Sequence, residues 1–164
     1  MVRCVVAGLL ATYLVAVFQG TVGGKIQICG VSPDLPLVWT VCVGLLSGRH
    51  VGALAGFGAG MVEGALAGKL TAAFAISKLM AGFAAGMLAT KMVKERWLVL
   101  VVSGAVLSLV NDTLFLAMSR TEPWLQAGHL VGMRMLYHGV LTPLGFVLVS
   151  RARRALVGRP GGWG

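Results

Sequence analysis

Glu63, Lys78, Asp112 and Arg134 each stand inside a run of residues that is otherwise apolar. A charge at the centre of a bilayer costs roughly 3 kcal/mol or more unless it is paired or put to use. Three uses fit these residue types: ion pairing that holds the fold, a pocket for a small ligand, or contact with a partner protein. Structural pairing is the expected use. The spacing around the charges extends the set. Gly104, Ser108 and Asp112 recur every four residues, as do Arg134, His138 and Thr142. Four-residue spacing places side chains on one face of a helix. In two antiparallel helices these stripes match rung for rung: Asp112 with Arg134, Ser108 with His138, Gly104 with Thr142. The candidate intramembrane cluster is therefore Glu63, Lys78, Ser108, Asp112, Arg134 and His138.

Catalysis is not expected of this set. Ser77 and Lys78 are neighbours, and neighbours on a helix point about 100° apart, so they make no dyad. No histidine cluster has metal spacing, and no Gly-rich phosphate loop follows a strand. Cys4, Cys29 and Cys42 form no CxxC pair and are odd in number, which argues against a zinc site or a disulfide framework. Neither a cofactor nor a metal is expected.

The elements that position these residues follow from composition. The chain has 164 residues, 57% apolar and 12% charged, with a mean hydropathy of +0.88. Soluble domains carry about 25% charged residues, so an all-α integral membrane protein with one domain over 1–155 and a flexible tail at 156–164 is expected. Interruptions of the apolar runs predict six spans at 4–20, 34–47, 51–68, 70–91, 97–118 and 129–149. The first is read as a retained helix and not a signal peptide, because no small-residue cleavage site precedes Gly20. Ser32-Pro33-Asp34 supplies a cap and a proline at the start of the second.

Basic residues set the direction. With the N-terminus inside, Arg3, Arg49, Lys91, Lys94, Arg96, Arg151, Arg153, Arg154 and Arg159 fall on the cytoplasmic side. Only Lys25, Lys69 and Arg120 fall outside, so both termini are expected to be cytoplasmic. The net charge of +9 then reads as attraction to anionic lipid and not to nucleic acid, with SRARRALVGR as a juxtamembrane anchor. All four intramembrane charges fall in the outer half, about 7–12 Å below the surface at a rise of ~1.5 Å per residue.

Gly52, Gly56, Gly60, Gly64 and Gly68 recur at intervals of four in the third span. Ser77, Ala81, Ala85 and Ala89, with Gly82 and Gly86 beside them, answer in the fourth. Small residues at this spacing let two backbones approach closely, so a tight antiparallel hairpin is expected, with Glu63 and Lys78 within reach across it. Ala7 and Ala11 make a weaker small-residue pair in the first helix. Pro143 removes one backbone hydrogen bond from the last.

Four stretches in order resemble the MreD family: GVSPDLPLVW, GALAGFGAGMVEGALAG, SKLMAGFAAG and LYHGVLTPLGFVLV. The similarity spans about residues 28–155. Pro33, Asp34 and Glu63 fall on the family's motif positions; Glu63 stands where the family more often has Asp, and His138 where Asn is common. The resemblance implies a compact six-helix bundle similar to the S components of energy-coupling-factor transporters. It also implies a non-enzymatic bacterial inner-membrane scaffold of the rod complex, which directs lateral peptidoglycan synthesis and cell shape. Its expected partners are MreC directly, and MreB, RodA and a class-B penicillin-binding transpeptidase within the complex. Segments 21–33 and 119–128, with Trp124, are the expected outer contacts, and Ala7 and Ala11 a docking face. The other reading is a vitamin-binding S component with a ligand among the outer polar residues and Phe57, Phe74, Phe83, Phe115 and Tyr137.

Overall fold

The computed structural model describes residues 2–22, 31–68, 70–92, 97–119 and 124–157. Six helices follow in order: α1 Val2–Val22, α2 Leu35–Ser47, α3 Arg49–Ala67, α4 Thr71–Met92, α5 Trp97–Ser119 and α6 Trp124–Val157. Three carry stretches long and apolar enough to cross a membrane on their own: Thr71–Ala89, Trp97–Met118 and Gly128–Ala155. The apolar parts of the first two helices are shorter, Leu10–Val22 and Leu35–Ser47.

Burial runs opposite to that of a water-soluble protein. Lys78, His138, Thr40, Ser77 and Ser108 are fully buried, while Leu54, Leu98, Leu136, Leu144 and Leu148 are among the most exposed side chains. Polar groups inside and leucines outside make the chain a membrane protein, because hydrocarbon reverses the preference that water imposes.

Helix α2 sits centrally and touches every other helix. Asp34 caps it, accepting from the Leu37 N–H at 2.9 Å, and Pro36 occupies its first turn. Gly48, at φ 87°, ends α2 and begins α3, a conformation that side chains oppose. The interior apolar cluster joins Leu37, Val41 and Leu45 of α2 to Ala81 and Ala85 of α4 and Leu100 and Leu107 of α5.

Among the described residues the α3–α4 pair forms the most extensive interface. A Cβ at Gly52, Gly56, Gly60 or Gly64 would overlap backbone of Gly82, Lys78, Phe74 or Thr71 respectively. Two expectations are corrected here. The face that α4 presents is Thr71, Phe74, Lys78, Gly82 and Gly86, so the expected Gly82 and Gly86 lie on it, whereas Ala81 and Ala85 turn into the apolar cluster with α2 and α5. Gly68 belongs to no packing face. Its φ of 67° ends α3 in a left-handed cap, and a Cβ there would meet open space.

Helix α6 is also longer than 129–149. It starts at Trp124, so residues 124–128 of the expected loop are helical, and it runs without a break through Pro143 to Val157. Hydropathy marks the part that suits lipid, whereas the helix continues into polar turns carrying Arg151, Arg153 and Arg154, all exposed. The tail from 158 lies outside the described residues.

Candidate functional site

At the end of the bundle where α2 begins and α3 ends, six helices bring charged and polar side chains together. Lys78 is buried to 1% exposure. Its Nζ lies 2.7 Å from Asp34 Oδ2, 2.9 Å from Glu63 Oε2 and 5.3 Å from the centroid of the Phe74 ring. The contact with Asp34 is a hydrogen bond. That with Glu63 is at ion-pair distance but off the hydrogen-bonding direction. A buried ammonium needs this company, since desolvation would otherwise exclude its charged form.

Asp34 divides its groups among three helices. Its Oδ1 caps α2, its Oδ2 meets Lys78 of α4, and its backbone N–H donates to His138 Nε2 of α6 at 2.9 Å. Because Nε2 accepts, the proton of the neutral ring sits on Nδ1, which donates to Ser108 Oγ of α5 at 2.5 Å. From α1, Gln19 donates to the Pro33 carbonyl at 2.8 Å and accepts from the Leu35 N–H at 3.3 Å. One polar centre thus ties all six helices. A serine beside a histidine invites a hydrolase reading, but the tautomer is reversed. The nitrogen facing Ser108 carries a proton and cannot take the hydroxyl's, so Ser108 is not activated as a nucleophile.

Between α5 and α6 the three expected rungs form. Arg134 Nη1 lies 3.6 Å from Asp112 Oδ1, Ser108 bonds His138, and Gly104 leaves room for Thr142 against its backbone. The Asp112–Arg134 rung is the loosest, since half-buried Arg134 reaches it from the rim. Asn111 Nδ2 donates to Asp112 Oδ1 at 3.1 Å.

Every member of the expected cluster is therefore in this region, and Asp34, flagged only as a motif position and helix cap, is its hub. Asn111 and Gln19 were not anticipated. A polar residue adjoining Asp112 carries a signal that its burial would have revealed; Gln19, at the end of an apolar helix, carries almost none. Other expected sites are not placed here. The side chains of Ala7 and Trp124 and residues 23–30 and 120–123 lie outside the described residues, and Ala11 is half-buried in α1.

A cavity of about 160 Å³ opens onto the centre, lined by Glu63, Phe74, Lys78, Asn111, Asp112 and Arg134 among others. Among the described residues no three of His, Cys, Asp or Glu are grouped to hold a metal. Cys42, buried in α2, directs its thiol to the Thr142 carbonyl at 3.6 Å. The arrangement can hold charges in register and receive a small polar species.

Comparison of the chain with protein-family models, curated proteins and solved structures gives no match.

Proposed function

We propose that the chain is a non-enzymatic scaffold of the bacterial inner membrane, MreD-like, that binds MreC and helps regulate cell shape and lateral peptidoglycan synthesis. It crosses the membrane with six helices and keeps both termini in the cytoplasm. MreB, RodA and a class-B penicillin-binding transpeptidase are its partners within the rod complex. One observation carries this reading. The four stretches that resemble the family, remote from one another in sequence, each send a residue to one buried centre: Asp34, Glu63, Lys78 and His138. Stretches that resemble one family and meet in space support a shared fold far better than the same stretches scattered over a surface.

The vitamin-binding alternative draws on the cavity at that centre. Pockets for drug-sized organic ligands run from roughly 300 to 1,000 Å³, and about 160 Å³ falls short of that range. The scaffold reading needs no such ligand. Co-expression with MreC followed by native mass spectrometry of the purified material separates the two. A complex with MreC and no vitamin mass is expected; a retained vitamin with no MreC overturns the scaffold.

A further inference from the structure

Three carboxylates, Asp34, Glu63 and Asp112, meet two cationic side chains, Lys78 and Arg134, around one cavity. His138, held as the Nδ1–H tautomer, adds no charge, so acidic groups outnumber basic ones at the centre by three to two. Its unsatisfied groups lean the same way. Among the described residues, Asn111 Oδ1 and Asp112 Oδ2 are buried oxygens with no donor, whereas Glu63 Oε2 faces the Lys78 ammonium at 2.9 Å; Arg134 Nε is an unpartnered donor on the cavity, and the Thr142 hydroxyl, further along α6, is unpartnered as well. Asn111 and Asp112 are each only 3% exposed, and buried polar atoms of this kind are ordinarily paired. Phe74 and Phe115, with ring centroids 4.6 Å apart, supply an aromatic wall.

We propose that this cavity binds a small primary ammonium group, of the size of ethanolamine. A primary ammonium brings N–H donors to the two free oxygens, Asn111 Oδ1 and Asp112 Oδ2, and a positive charge to a centre where acidic groups outnumber basic ones. Its carbon stem lies against the two rings, whose faces attract a cation. A bare metal ion is a poorer fit, because no compact group of acidic, His or Cys ligands exists among the described residues. Size agrees as well: about 160 Å³ is several times the ~10–15 Å³ that a single water needs, room for a molecule of a few heavy atoms such as ethanolammonium. The ammonium comes either as a free amine or as the headgroup of phosphatidylethanolamine in the surrounding leaflet, and both present the same chemistry.

The test is thermal unfolding of the full chain in a non-ionic detergent at fixed pH and ionic strength. Methylammonium and ethanolammonium chloride are expected to raise Tm saturably, by about 5 °C at a hundredfold excess over Kd. Tetramethylammonium, which has no N–H donor, and sodium chloride are expected to give no such rise. Asp112→Asn, which replaces the carboxylate that offers a free oxygen by a neutral amide, is expected to abolish the ammonium effect. No ammonium-specific rise, an equal rise with tetramethylammonium or sodium, or an undiminished rise in Asp112→Asn overturns the proposal. The comparison of ions on the unaltered chain decides even if that variant fails to fold. Nanodiscs then identify the source. If phosphatidylethanolamine stabilises the chain over phosphatidylcholine and removes the response to added amine, the headgroup occupies the site. If it does not and the free amine still acts, the ligand is a free amine. Because MreC is absent throughout, the outcome is independent of the scaffold reading.

Discussion

Lys78 Nζ lies 2.7 Å from Asp34 Oδ2 across 44 positions of sequence, while the other oxygen of the same carboxylate caps α2. One aspartate therefore fixes where α2 starts and how deep α4 sits beside it. With Glu63 on the opposite side of the ammonium, the lysine fastens α2, α3 and α4 at a single level.

Removing that ammonium should be the most damaging single change at the centre. Lys78→Met leaves Asp34 and Glu63 as neighbouring buried carboxylates without the ammonium between them. Breaking a buried pair in this way costs about 3–5 kcal/mol. Lys78→Met combined with Asp34→Asn should recover part of the loss, as read from thermal unfolding in detergent.

A weaker coupling is expected one rung away. Asp112→Ala should destabilise the chain, and adding Arg134→Ala should recover part of that. At 3.6 Å and with a half-exposed guanidinium, the coupling should stay at or below about 1 kcal/mol. Strictly additive losses would show that the rung contributes no pairing energy.

Two glycines of α3 offer a matched comparison. A methyl at Gly56 would overlap the Lys78 carbonyl, so Gly56→Ala should cost about 1–3 kcal/mol. Gly58 has nothing within 4 Å of such a methyl, and Gly58→Ala should be neutral or stabilise by up to about 1 kcal/mol through reduced backbone entropy loss. Equal effects at the two positions would contradict the observed α3–α4 face.

At His138 the chemistry of the replacement matters more than its size. His138→Leu strips the Asp34 N–H of its acceptor and should cost about 1–3 kcal/mol. His138→Asn retains a carbonyl acceptor and an amide donor and should retain more stability, measured by the same unfolding assay.

The ladder between α5 and α6 was legible because polar or small residues recur every fourth position on both helices and the helices run antiparallel. The Glu63–Lys78 pair was legible for a similar reason, since a short connection fixes the relative depth of α3 and α4. The place of Asp34 was not. A Ser-Pro-Asp string before an apolar run reads as a helix cap, which it is, and nothing local reveals that its second oxygen is spent on a residue 44 positions away. On α4 the expected Gly82 and Gly86 do pack against α3, but the Ser77, Ala81 and Ala85 stripe beside them lies about 100° of rotation away from that face. Small residues line two adjacent stripes of that helix, and Lys78 disguises the one that packs. Its side chain can pass to the polar centre while its backbone carbonyl touches Gly56. The ends of α6 were hidden because apolarity records what the bilayer requires, whereas a helix stops only where its backbone bonding stops.

The most direct test of the scaffold proposal is a binding titration. The purified chain in nanodiscs would be titrated with MreC that retains its transmembrane segment and periplasmic part. Saturable one-to-one binding, undisturbed by added vitamins, is the predicted result. The absence of binding to MreC, together with saturable binding of a vitamin to the same preparation, would contradict it.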